Sequence, residues 1–139
     1  VIPVIELKWT NGMYSDNNNS DIYDYCNIDK AINKINEYGL LDKCYIISFM
    51  SGCLNYIKQK YPNIKLQWLC SQNVMDKIEW CLENNIDIDI NYNYCTKELV
   101  DKFHSKNLLV NIWTLNDEAL LDKYLEMGVD MITSDWIIK

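Results

Sequence analysis

The sequence predicts an α/β fold, a parallel sheet wrapped by helices, of the (β/α)8 TIM-barrel kind and incomplete. Three observations predict it. Apolar strand-like segments alternate with helix-period segments along the chain, the pattern of parallel strands joined by right-handed crossovers. The strand centres Ile46, Leu66, Ile88, Val110 and Ile132 recur at steps of 20 to 22 residues. No G-x-G-x-x-G and no Walker loop follows any strand, which argues against a nucleotide-binding open sheet. Six strands with five helices between them leave a barrel short of its first two β/α units.

Each element has its own signal. Residues 1–8 are rich in Val and Ile and read as a strand. A polar loop follows over 11–24, with Asn17, Asn18, Asn19 and Ser20. Ile28, Ala31, Ile32 and Ile35 recur at helical spacing, and Gly39 suits the left-handed residue that closes a helix. Residues 44–49 form the second strand. Leu54, Ile57 and Tyr61 mark a helix stopped at Pro62. Residues 65–70 form the third strand. Val74, Ile78, Cys81 and Leu82 mark the next helix, with Asn73 as its cap. A strand over 86–90 leads to a helix after Thr96, carried by Leu99, Val100 and Phe103. A strand over 108–115 leads to a helix over 116–128, carried by Leu120, Leu121, Tyr124 and Leu125. The last strand is read over 131–135.

Composition bounds the function. The chain has 139 residues, enough for one ordinary domain with its own core. At 49% hydrophobic it is no disordered acidic tail. Its net charge is −7, and all 13 basic residues are Lys. Without a basic stripe, nucleic acid is not an expected partner. Without Arg, a phosphate must be held by Lys, backbone amides, hydroxyls or a metal. No apolar run is long enough for a membrane segment. The six cysteines, Cys26, Cys44, Cys53, Cys70, Cys81 and Cys95, form no C-x-x-C pair and no zinc spacing. They read as buried free thiols in a reducing, cytoplasmic setting. A chain that opens on Val1 inside a strand reads as a piece of a longer polypeptide.

In such a fold the chemistry lies at the C-terminal strand ends. Those ends carry Glu6 and Lys8, Ser48 and Phe49, Trp68, Asn91, Trp113 and Thr114, then Ser134 and Asp135. Glu6 and Lys8 are the most informative, because side chains at i and i+2 share one strand face. Opposite charges on an apolar strand are costly unless paired, liganded or at a wet rim. Glu6 suits a hard cation, Lys8 a phosphate oxygen; the plain alternative is a strand-end salt bridge. Asp87, Asp89 and Asn91 alternate with isoleucines; polar filling of a barrel interior, or a strand edge facing water, is favoured there over a second metal site. The five Trp and ten Tyr suggest a sugar-binding surface less than core packing. His104 falls near a helix end, where a solvated or helix-terminal role is expected.

Ile5-Glu6-Leu7-Lys8, Ser48-Phe49, the run Asn111 to Asp117 containing Trp113-Thr114, and Gly128-Val129-Asp130 with Asp135, in this order, resemble the glycerophosphodiester phosphodiesterase family. The resemblance covers residues 1–139 as one partial domain. It implies hydrolysis of glycerophosphodiesters to sn-glycerol 3-phosphate and an alcohol, in lipid and glycerol metabolism, with a divalent cation, Ca²⁺ or Mg²⁺. It implies that Glu6 binds metal, that Lys8 faces the phosphate as catalytic and substrate-binding residue, and that Trp113 and Phe49 line the pocket near its mouth. Asn116 and Asp117 are expected to cap and charge the next helix, and Asp135 to close the last strand. The family's His-Arg motif, its next two acidic ligands and its second His have no counterpart here, and Met131 and Ile137 stand where the family usually has Gly and Pro. The 139 residues alone are therefore expected to be inactive, with self-association through open sheet edges. The alternative is a non-catalytic remnant acting as a binding or interaction module.

Overall fold

The computed structural model describes residues 2–8 and 25–136. The expected loop at 11–24 and the positions Val1, Trp9 and Ile137 lie outside the described residues, as does the Cys26 side chain. Among the described residues six parallel strands and five α-helices alternate, as the sequence predicts. The strand order in the sheet is the order along the chain. Two compact units, Val1–Gln67 and Trp68–Lys139, divide the chain within the third strand.

The first unit holds β1 (Val4–Glu6), α1 (Tyr25–Glu37), β2 (Tyr45–Ser48), α2 (Ser51–Lys60) and the start of β3 (Lys65–Cys70). β1 and β2 run parallel, with Val4 beside Tyr45 and Glu6 beside Ile47. Ile32, Ile46, Cys53, Leu54 and Ile57 are buried almost completely. This is the two-sided burial that a parallel sheet under helices demands. α1 closes on Gly39 in the left-handed region, φ +64°. The Gly39 N–H bonds the Asn36 carbonyl at 2.9 Å, and the Leu40 N–H reaches the Ile35 carbonyl at 3.2 Å. That satisfies two helix-end carbonyls.

A polar knot ties α1 to α2. The Asp29 carboxylate accepts from the Tyr56 hydroxyl at 2.9 and 3.0 Å, the Tyr61 hydroxyl at 2.8 Å and Lys60 Nζ at 2.5 Å. The Lys60 hydrogen bond, with help from both hydroxyls, holds the Asp29 carboxyl below the usual carboxylate range against its partial burial. A depressed folded value means stability present above the unfolded pKa and lost as pH falls through the folded one. Wild type should therefore exceed D29N in Tm at pH 7, and the gap should close as pH falls below about 4. Thermal melts of both across pH check this.

The second unit holds the end of β3, α3 (Val74–Asn84), β4 (Asp87–Asn91), α4 (Lys97–His104), β5 (Val110–Trp113), α5 (Leu121–Met127) and β6 (Met131–Ile132). β4 and β5 run parallel, with Asp89 beside Asn111 and Asn91 beside Trp113. β5 and β6 follow in the same sense, with Ile112 beside Ile132. Ile88, Ile90, Val100, Phe103, Val110, Ile112 and Leu115 are sealed from solvent. Trp68 packs edge-on against Trp80 with ring centroids 4.6 Å apart, so this pair serves packing, as expected over a sugar platform. Thr96 caps α4, its side chain accepting from the Leu99 N–H at 3.2 Å.

Three local expectations are corrected. Asn73 precedes α3 with left-handed backbone, φ 52°, and makes no side-chain cap bond; a capping residue needs extended backbone to aim its side chain at the helix. The helix expected over 116–128 begins instead as a 3-10 turn, Glu118–Leu120, capped by Asp117, and becomes α-helical at Leu121. The last strand spans only Met131–Ile132; backbone ladder bonds reach Thr133, and beyond it side chains take over, as described below.

α5 closes on Gly128, φ +85°. A Cβ at Gly128 would meet only His104 Cε1 and Val100 Cγ1, both at an ordinary 3.9 Å. The cost of Gly128→Ala is then the backbone strain alone. It should lower unfolding free energy by about 1–2 kcal/mol, read from the urea midpoint.

Five of the cysteines, Cys44, Cys53, Cys70, Cys81 and Cys95, are buried and unbridged, as expected of packing thiols. Among the described residues no helix is long and apolar enough to cross a membrane.

Candidate active site

The end of β1 is fixed by β2. The Leu7 N–H bonds the Ile47 carbonyl at 2.9 Å. Ser48, wholly buried, donates its hydroxyl to the Leu7 carbonyl at 3.1 Å and accepts from the Met50 N–H at 3.2 Å. One hydroxyl thus ties the segment bearing Glu6 and Lys8 to the start of α2. The sequence showed Ser48 only as a strand-end residue; its anchoring role depends on a partner 41 residues away.

On that segment Glu6 and Lys8 come together, Nζ to Oε2 at 3.2 Å, with the Lys8 side chain 74% exposed. The salt bridge of the plain reading is formed. It does not oppose a functional role, because an exposed ion pair is worth at most about 1 kcal/mol. Lys8 can therefore exchange Glu6 for an incoming phosphate at little cost. Beside the pair lies a cavity of about 280 Å³, lined by Glu6, Leu7, Lys8, Ile28, Met50 and Cys53 among others. Burial pushes the Cys53 thiol up to about 11, so it is no thiolate nucleophile at neutral pH. Phe49 stands in the turn after β2, 44% exposed.

As a cation site, these donors are incomplete. Glu6 supplies one carboxylate, whereas Ca²⁺ and Mg²⁺ take six or more oxygens. Among the described residues no group of three or more His, Cys, Asp or Glu is placed to hold a metal ion.

The second unit carries the other expected residue. Trp113 ends β5, and its Nε1–H donates to the Asp89 carbonyl at 3.0 Å. Asp89 and Asn111, adjacent in register, are each 1% exposed; of the three polar residues read on this strand, Asp89 is the one that fills the interior. Asp87 Oδ1 accepts from the Leu109 N–H at 2.8 Å, and Asn91 Oδ1 from the Asn93 N–H at 3.0 Å. These two thus hold backbone. His104 ends α4 with Nε2 2.9 Å from Asp130 Oδ2, an oxygen that also accepts from the Val110 N–H at 2.8 Å. This is the helix-end role expected of it. Asp117 caps, its Oδ1 accepting from the Ala119 N–H at 2.9 Å. Asn116 does not: it bonds the loop after β6. That pairing was missed because nothing local marks a partner 19 residues on.

Parallel strands joined by helices, with charged and aromatic side chains at the C-terminal strand ends, define a parallel α/β protein, consistent with part of a TIM barrel. The chain belongs to the glycerophosphoryl diester phosphodiesterase family, whose sequence model matches residues 7–139. Lys8, Phe49 and Trp113 fall inside that match, and Glu6 lies one residue before it. Solved structures show the same fold. One from Silicibacter pomeroyi DSS-3, named as a candidate glycerophosphoryl diester phosphodiesterase, is 18% identical with a TM-score of 0.75, over 96% of this chain and 46% of that one. A glycerophosphodiester phosphodiesterase from Parabacteroides distasonis ATCC 8503 is 21% identical with a TM-score of 0.74, over 95% and 52%. A phosphodiesterase from Oleispira antarctica, solved with the product sn-glycerol-3-phosphate, is 21% identical with a TM-score of 0.68, over 78% and 44%. The chain spans about half the length of these structures. Among curated proteins nothing matches.

Proposed function

We propose that residues 1–139 are part of one glycerophosphodiester phosphodiesterase domain, cleaving glycerophosphodiesters into sn-glycerol 3-phosphate and an alcohol. The observation that carries the reading is the family match over residues 7–139. Lys8 contributes its ammonium to a phosphate oxygen and stabilises charge developing there. Trp113 and Phe49 supply apolar surface for the glycerol carbons. A divalent cation, Ca²⁺ or Mg²⁺, would take Glu6 as one carboxylate ligand, the rest of its donors coming from outside this chain. The chain spans only about half the length of its structural neighbours.

Hydrolysis adds water across one P–O bond: the water oxygen joins phosphorus and a proton goes to the departing alkoxide. That proton needs a general acid. His104 is committed to Asp130 at a helix end, so it is not assigned as that acid. The isolated 139-residue chain is then inactive, and buried unbridged thiols fit a reducing, cytoplasmic setting.

The test is release of sn-glycerol 3-phosphate from glycerophosphocholine, read by coupled dehydrogenase assay. The intact protein should release it, EDTA should stop it, and the 139-residue chain should not support it. No release by the intact protein with either cation would overturn the reading.

A further inference from the structure

The loops after β5 and β6 are joined by a side chain where the backbone ladder gives out. The last ladder bonds run from the Thr133 N–H to the Ile112 carbonyl at 2.8 Å and from the Leu115 N–H to the Thr133 carbonyl at 2.9 Å. Past them, Asn116 Oδ1 accepts from the Asp135 N–H at 2.9 Å and from the Ser134 hydroxyl at 3.1 Å. Asn116 Nδ2 donates to Asp135 Oδ2 at 2.7 Å. Ser134 Oγ accepts in turn from the Trp136 N–H at 3.3 Å. A carboxamide can do this because one planar group both accepts and donates. It stands in for the carbonyl that a longer strand would have offered.

Trp113 lies between two such fixed points. Its indole N–H is tied to the Asp89 carbonyl. The residues that follow it are pinned by wholly buried Leu115 and then by Asn116. A large ring on an unpinned loop would sample several orientations; this one is held.

Resting on the phosphodiesterase reading, we propose that Asn116 is a positioning residue: it clasps the β5 loop to the β6 loop and so presets the Trp113 indole for the glycerol half of the substrate. It touches no substrate itself. Its effect falls on binding geometry, where small misplacements are amplified.

The test uses the intact protein and five variants. Asn116→Ala should raise KM about 10-fold with little change in kcat. Asn116→Asp should do the same, because it loses the donor and sets a second carboxylate against Asp135. The exchange N116D/D135N restores the pattern with its direction reversed, carboxylate at 116 and carboxamide at 135, and should recover KM. In a Trp113→Phe background the Asn116→Ala effect should shrink, since contacting or coupled sites are non-additive. Unchanged KM in N116A with a lowered Tm would overturn the proposal in favour of a purely structural clasp. An N116D/D135N protein that melts like wild type yet keeps a raised KM would also overturn it, assigning the effect to the Asp135 carboxylate. Additivity of N116A with Trp113→Phe would overturn it too, through a route that does not pass by Trp113. If wild type hydrolyses no glycerophosphodiester, the phosphodiesterase reading fails and the positioning role fails with it. The clasp is then read separately by amide hydrogen exchange at Asp135 and Trp136, which N116A should speed and the exchange variant should slow again.

Discussion

Lys8→Met should lower kcat of the intact protein by about 10²–10³-fold, the loss typical of removing one donor aimed at developing charge. Stability should barely change. The Lys8 side chain is 74% exposed and its bond to Glu6 is a surface ion pair, worth at most about 1 kcal/mol. Lys8→Arg should recover part of the rate, since it keeps the charge but replaces a point donor by a planar fork. Steady-state kinetics beside a thermal melt check this. A variant with wild-type kcat and a lower Tm would reduce Lys8 to a strand-end partner of Glu6.

Phe103→Ala should be the most destabilising single change, costing about 3–5 kcal/mol through lost burial and the cavity left behind. Phe103 is fully buried. Its carbonyl also receives the Lys106 N–H at 2.9 Å and the Leu108 N–H at 3.0 Å, closing α4 before β5. A domain whose whole stability is about 5–15 kcal/mol has little left after such a loss. The urea midpoint should drop sharply at unchanged slope. A cost below about 1 kcal/mol would mean that this part of the core collapses freely around the gap. Phe103→Leu, which retains most of the apolar volume, should cost much less.

The alternation of elements was legible because it is written in local periodicity. Ile28, Ile32 and Ile35 bury one stripe of α1, and the isoleucines of β4 are sealed between sheet and helices. The helix start after Thr96 and the closing Gly39 after α1 were legible for the same reason. Asn73 was not, because an asparagine suits both a cap and the left-handed backbone it adopts here. The end of the last strand was not, because it depends on Asn116 replacing a backbone acceptor across a gap of 19 residues.

The candidate site was legible in part. Two charges at i and i+2 on an apolar strand singled out Glu6 and Lys8, and the salt bridge kept as the plain alternative is formed. Nothing in the residues 48–50 announced that Ser48 would hold the Leu7 carbonyl and fix the strand end beneath them. Such a role exists only once the two strands are side by side. Family membership adds that this segment lies at the start of the matched region, with Lys8 inside it.

The most direct test is product identity. Incubate the intact protein with glycerophosphocholine and a divalent cation, and follow phosphorus by ³¹P NMR. The account predicts that the diester resonance is replaced by that of glycerol 3-phosphate, with choline free of phosphate. Phosphocholine as the phosphorus-bearing product, or an unchanged diester, would contradict it.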